Sequence, residues 1–240
     1  MNKQAVHHFF VVNKNVIAGW GARIIVLFLA LVNTRLLVDC VGTDGLAAYS
    51  IVVSLSPWLA LLNLGLPITV QNSISRFRGE GDYIMIRDHS FGTLLIIVLV
   101  LSPVSIFIGW VVHKYFMVNY PFVSVSTVMA VCLLIFLMGV SQLFSQVMYA
   151  EHEAFWPNMY PAFAPIWTLL VLIIARHLNV KNFNVVLLLI GFSNLLMPIH
   201  AARHLRVFKR FQFSLQYVGR QLRESKDQLL FAIMATVTLS

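Results

Sequence analysis

VIAGWGARIIVLFLALVNTRLLVDCVGTDGLAAYSIVVSLSPWLALLNLGLPITV, residues 16–70, decides the fold. Two apolar runs, Val16–Val38 and Leu46–Val70, flank a short polar connection at Asp39–Gly45. A bilayer core about 30 Å thick takes roughly 20 apolar residues per spanning helix. Each run therefore reads as one membrane pass, and the connection is too short to do more than turn the chain. The pattern recurs at Phe91–His113, Val125–Tyr149, Met159–Ala175 and Val185–Ala202. Another apolar run begins near Gln228 and is still apolar at Ser240, which reads as a seventh helix cut short. The expected fold is all-α, a polytopic transmembrane helix bundle. Its divisions are a six-helix lobe over 1–202, a basic amphipathic linker over 203–227, and the start of a seventh helix over 228–240.

Composition agrees. The chain is 59% hydrophobic and only 11% charged, whereas a soluble domain needs polar and charged residues to cover its outside. Met1–Asn15 is polar and basic, and the first apolar run is too long for a signal-peptide core. Two cysteines, Cys40 and Cys132, make neither a disulfide framework nor a metal spacing. The eight histidines are scattered, with His113, His177 and His200 near helix ends. No metal, cofactor or nucleic-acid partner is expected.

The basic residues orient the bundle. With the amino terminus in the cytoplasm, Lys3, Lys14, Arg23, Arg76, Arg78, Arg87, Arg203, Arg206, Lys209, Arg210, Arg220, Arg223 and Lys226 fall on or near that side. Only Arg35, Lys114, Arg176 and Lys181 fall on or near the other, a strong bias under the positive-inside rule. The connections on the far side, Asp39–Gly45, Lys114–Ser124 and Arg176–Asn184, leave no room for a folded catalytic domain. In the linker, Leu205, Phe208, Phe211, Leu215, Val218 and Leu222 recur at helical spacing among arginines and lysines. That pattern predicts a basic amphipathic helix in the headgroup plane, with anionic membrane lipids as partners.

Arg23 is the first candidate for chemistry. It lies about 10 Å along the first helix, where a cation usually faces a cavity or a partner, or snorkels if the helix starts late. Arg35 and Asp39 are four apart and could pair on one helix face; Asn33 sits deeper and could bridge helices. Gln142 and Gln146, four apart in the fourth helix, fall in the same half of the membrane as Arg23, as do Asn72 and Arg76. Converging, these residues would make a polar, positive mouth suited to phosphate, for which arginine supplies planar permanent donors; bonding between helices is the competing use of the glutamines. Pro67 and Pro198 each follow an asparagine by four, and Pro157, Pro161 and Pro165 recur every four residues. Interior prolines kink helices, so Pro67, Pro161, Pro165 and Pro198 are the candidate hinges. No intramembrane acid pair, Ser/His or Cys/His constellation or loop-borne metal motif points to an enzyme, and no catalytic residue is expected.

RLLVDCVGTDGLAAYSIVVSLSPWLALLNLGLPITVQNSISRFRGEGD, residues 35–82, resembles the first hairpin of the polysaccharide-exporter and O-antigen flippase family, within the superfamily of multidrug, oligosaccharidyl-lipid and polysaccharide exporters. The matching features are the Gly-containing turn before Tyr49, Trp58, "NLGLP" at Asn63–Pro67 and "GEGD" at Gly79–Asp82. Asn63 stands where the family often has aspartate, and Ser50 where it has glycine. The resemblance implies a two-lobe exporter of which this chain is the amino-terminal lobe. It also implies alternating access and flipping of undecaprenyl-pyrophosphate-linked oligosaccharide across the bacterial inner membrane for O-antigen or other surface polysaccharide. Arg23 and then Arg35 would hold the pyrophosphate, and polysaccharide polymerase machinery would be a partner. The alternatives are a cation-coupled multidrug exporter of the same fold, an inactive truncated remnant, and a polytopic glycosyltransferase or polymerase.

Overall fold

The computed structural model describes residues 3–77, 83–207, 212 and 214–239. Among them every regular element is helical: α1 (Lys3–Val53), α2 (Ser56–Ala60), a 3₁₀ turn (Leu61–Asn63), α3 (Leu66–Phe77), α4 (Tyr83–Phe116), α5 (Val125–Ala150), α6 (Phe155–His177), α7 (Phe183–Gly191), α8 (Ser193–His204) and α9 (Leu215–Leu239). Among the described residues five stretches are long and apolar enough to cross a membrane, the first being Asn13–Asn63.

That first stretch is two passes. A straight helix of 51 residues would measure about 75 Å, more than twice a bilayer core. Gly42 breaks it, with φ 78° and ψ 178°, in the expected connection. Contacts on either side give the directions. Asn158 Nδ2 donates to Asn15 O, Asn33 Nδ2 to Pro165 O, and Asp39 meets Arg176. The first arm of α1 thus climbs parallel to α6, and Gly42 lies at the far end. The second arm returns: Ala48, Val52 and Leu59 bury against Val112, Val123, Val128 and Phe183 at that far end. Leu66, Val70 and Ile74 bury against Ile86, Phe91, Val147 and Ala201 at the near end. With α4, α5, α6 and the α7–α8 pair, these two arms make six apolar segments of bilayer length among the described residues.

The helix limits depart from the apolar runs in three places. The second pass is interrupted where Leu64 (φ 56°) and Gly65 (φ 71°) adopt left-handed backbone, and Asn63 Oδ1 accepts from Gly65 N at 2.9 Å. The sixth is split at Phe192, between α7 and α8. Helix α4 starts at Tyr83, well before Phe91, and so carries Arg87 and Asp88 within it. The GEGD turn and residues 208–211 of the linker lie outside the described residues.

Lipid tails are as apolar as leucine, so close approach of backbones has to hold these helices together. A Cβ on Gly109 would lie 2.7 Å from Met129 Cα, and one on Gly139 would lie 3.0 Å from Ala60 Cα. Gly109→Val should force α4 off α5 at a cost of about 1–3 kcal/mol and lower the melting temperature of the detergent-purified chain by several degrees. Gly21→Val, with nothing within 4 Å of its Cβ, should leave it unchanged.

Helix α9 begins inside the expected linker and runs without interruption past Gln228. It stands against α3 and α4: Val218, Gln221 and Ser225 are buried, Gln221 Nε2 donates to Ser90 Oγ at 2.7 Å, and Tyr217 OH donates to Ile86 O at 3.2 Å. Higher up, Ser225, Gln228 and Leu229 close over Gly65.

Candidate functional site

The first arm of α1 turns a broad apolar face outward: Ile24, Leu27, Phe28 and Leu31 are 63–77% exposed. Arg23 is exposed on that face. Its guanidinium lies 5.7 Å from the Trp20 ring centroid, a cation–π contact within the same helix, and no carboxylate reaches it among the described residues. Two turns of helix separate it from Asn15, so it sits about 12 Å above the near end. A cation at such a level is costly against lipid, and the face suits a wet or protein-lined space.

The other expected residues share this outward disposition. Asn72 and Arg76 lie one turn apart and exposed on α3, with Arg76 5.4 Å from the Phe77 ring centroid. Gln142 is exposed on α5 and Gln146 half-buried. No hydrogen bond or ion pair joins Arg23, Asn72, Arg76, Gln142 and Gln146 to one another. Arg35 is exposed, but its expected pairing with Asp39 does not form. Asp39 instead lies 3.4 Å from Arg176, both largely exposed, because the parallel run of the first arm and α6 brings the two ends together. Such exposed pairs contribute little stability.

Pro67 stands in the first turn of α3, immediately below the break at Asn63–Gly65. There its missing N–H costs nothing and its fixed φ suits a helix start. Pro161 and Pro165 lie inside α6, and Pro198 inside α8, one to two turns beyond the split at Phe192.

These irregular helices enclose a cavity of about 410 Å³ between both arms of α1, α5, α6 and the α7–α8 split. The lining is mostly apolar, with Asn33, Thr34, Tyr49, Ser56, Thr168, Ser193 and Asn194 as its polar side chains. Asn33 Nδ2 donates to Pro165 O at 3.0 Å, while its Oδ1 is buried without a hydrogen-bond partner. Broken helices lining a cavity at membrane depth are a common arrangement in transporters. Of the residues singled out from the sequence, Asn33 and Pro165 line it.

Sequence reading missed an ionic lock at the near end. Arg87 Nε donates to Asp88 Oδ1 at 2.9 Å and its Nη1 to Glu151 Oε1 at 2.7 Å, with Arg87 and Asp88 side chains at most 10% exposed. This ties the start of α4 to the end of α5. Glu153, two residues on, meets His204 Nε2 at 2.7 Å and so ties the same loop to the end of α8. The available signal was Arg-Asp on the rim of an apolar run together with Glu-His-Glu at 151–153. Among the described residues no group of His, Cys, Asp and Glu could hold a metal ion.

No protein-family model matches the chain. It is 25% identical to a Yersinia pseudotuberculosis protein named "Putative O-antigen export protein", over 62% of this chain and 35% of that one. Among solved structures it is similar to a MOP superfamily transporter from Pyrococcus furiosus, described as having a binding pocket of reverse polarity that suggests a different function. That similarity has a TM-score of 0.70 at 12% identity and covers 95% of this chain and 53% of the transporter. It is also similar to an outward-facing multidrug resistance MATE family transporter of the MOP superfamily, with a TM-score of 0.62 at 13% identity, covering 93% and 53%. The chain therefore spans about a third of the curated relative and about half of each solved transporter. The name of the Yersinia relative and the superfamily of the two solved transporters are consistent with the resemblance of residues 35–82. The chain is a multi-pass membrane protein with the helical fold of half a MOP superfamily transporter.

Proposed function

We propose that this chain, folded as half of a MOP superfamily transporter, is the amino-terminal lobe of a bacterial inner-membrane exporter that flips undecaprenyl-pyrophosphate-linked oligosaccharide for surface polysaccharide synthesis. The single observation carrying this reading is Arg23, an exposed guanidinium without an acidic partner among the described residues, on an otherwise apolar face. A face of that kind, turned to a second lobe, would receive an anionic headgroup while the lipid tail stayed in the bilayer. Arg35, Asn72, Arg76, Gln142 and Gln146 extend the polar lining toward both ends. The breaks near Pro67, in α6 and before Pro198 supply places for the lobe to bend during alternating access. The name carried by the Yersinia relative supports an O-antigen substrate, and a polymerase acting on the same repeat unit would be its partner. The excess of lysine and arginine at the near end supports a cytoplasmic amino terminus, and the reading is one of transport rather than catalysis.

The test is headgroup translocation by the full-length protein in vesicles. Arg23→Ala should lose about 1.5–3 kcal/mol of charged hydrogen bonding, roughly a ten- to hundredfold fall in flux at limiting substrate. Arg23→Lys should recover part of it, as a point charge lacking the guanidinium fork. Undiminished flux in Arg23→Ala would remove Arg23 as a ligand.

A cation-coupled drug exporter is the second reading, favoured by the mostly apolar intralobe cavity with Asn33 on its wall. Deletion that alters drug sensitivity and spares surface polysaccharide would select it.

A further inference from the structure

Where α4 and α9 begin, their first turns enclose an open cleft of about 810 Å³, separate from Arg23 and from the intralobe cavity. Helix α4 contributes Met85 and His89; Ser214 and the first turns of α9 supply the opposite wall, including Arg220, Arg223 and Glu224. We infer that this cleft is a binding site for the phosphate of an anionic membrane lipid, held by Arg223, His89 and Ser214.

Charge gives the sign of the ligand. Arg220 and Glu224 neutralise each other across 3.0 Å on successive turns. Arg223, exposed and one turn from Arg220, has no ion-pair partner among the described residues, so the cleft keeps one free guanidinium. His89 supplies a second donor. Its ring stacks on Tyr217 with centroids 4.8 Å apart, and its Nδ1 is buried without a hydrogen-bond partner. A buried ring nitrogen left unsatisfied is costly, and a turn of the ring that brings it to the cleft would let an anion accept from it. The Ser214 hydroxyl oxygen accepts from Tyr217 N at 3.4 Å, which leaves its proton free to donate.

The wall behind these donors is firm. Tyr217 OH donates to Ile86 O and receives from Gln221 Nε2 at 3.1 Å. Burial pushes the Tyr217 phenol above its ordinary range, so it stays protonated as that donor. Arg87 and Asp88, next to His89 in sequence, are buried in their own ion triad and do not compete. The lips of the cleft are apolar. Met85 is 52% exposed and Leu215 71% exposed, with Ile84 beside them at 47%. Cationic donors between exposed apolar side chains, at the level where a spanning helix begins, match a phosphate that carries acyl chains better than a free one.

The test is lipid retention by the purified 240-residue chain, read by native mass spectrometry in micelles doped with phosphatidylglycerol or phosphatidylcholine. Phosphatidylglycerol should be retained over phosphatidylcholine, and Arg223→Gln should weaken it about tenfold, the loss of one charge-assisted contact. His89→Gln should weaken it by a smaller factor. Lys226→Gln, exposed on the same helix three residues on, should leave it unchanged. Equal losses for Arg223→Gln and Lys226→Gln would reduce the effect to diffuse attraction and overturn the site, as would equal retention of the two lipids. Displacement by millimolar inorganic phosphate would overturn the lipid assignment in favour of a soluble anion. Unchanged helicity by circular dichroism is required of each variant, and His89→Gln and Arg223→Gln must agree in direction.

Discussion

Arg87→Ala is expected to lower the stability of the lobe by about 3–5 kcal/mol, the range for removing one partner of a buried ion pair. The guanidinium is 7% exposed and bonds two carboxylates at once, Asp88 at 2.9 Å and Glu151 at 2.7 Å. Its loss leaves two acids side by side with no cation, one of them buried. For a chain of this size each kcal/mol moves the melting temperature by about 2–4 °C, so the fall should be on the order of 10 °C in detergent. Arg87→Lys should be intermediate, because an ammonium cannot present the fork that serves both carboxylates. The diagnostic variant is Arg87→Met combined with Asp88→Asn and Glu151→Gln. If uncompensated charge is the cause, the neutral triple variant should regain most of the stability lost by Arg87→Ala. A triple variant as unstable as the single one would show that packing, and not charge, is what Arg87 supplies.

That lock also shows where a sequence stops being legible. The apolar runs gave the passes because a bilayer imposes one length on every spanning helix, and Gly42 marks a turn because its backbone has φ 78°. Arg87 reads in sequence as one more cation of a cytoplasmic collar. Its burial depends on Glu151, 64 residues away, and nothing local distinguishes a paired rim arginine from a solvated one. The Arg35–Asp39 expectation failed for the same reason in reverse: local spacing allowed it, but the parallel packing of α6 delivered Arg176 to Asp39. Arg23 was legible as an odd charge in an apolar run, and it lies exposed on the face of α1. Whether it converges with Asn72, Arg76, Gln142 and Gln146 was not legible, since relations between separate helix faces depend on rotations that periodicity within one helix does not fix. The α9 stripe illustrates this. Gln221 and Ser225 are buried although both are polar, because Gln221 donates to the Ser90 hydroxyl on α4 and Ser225 donates to Leu222 O within α9.

Gly65→Val should detach α9 from α3. Gly65 has φ 71°, and a Cβ there would lie 2.9 Å from Leu229 N and 3.0 Å from both Gln228 Cβ and Ser225 O. Two penalties act together: about 1–2 kcal/mol for an L-residue in left-handed backbone, and about 1–3 kcal/mol for forcing atoms into a packed contact. The obstructing atoms are mostly backbone of a helix, which cannot rotate aside as a side chain can, so the relief available is for the whole of α9 to move. Its hold is modest, resting on Gln221, Tyr217 and a short apolar seam. Nitroxides at the exposed positions Ile68 on α3 and Leu230 on α9 report the separation by pulsed electron resonance. The distribution should lengthen and broaden in Gly65→Val and stay unchanged in Gly219→Val, where nothing lies within 4 Å of the new Cβ. Gly65→Asn separates the two penalties, because asparagine tolerates left-handed backbone yet carries the same Cβ. Lengthening in Gly65→Asn assigns the effect to the close approach of α9; a distance like that of the unsubstituted chain assigns it to backbone strain at the break. An unshifted distribution in Gly65→Val would mean that α9 does not depend on this glycine for its seat.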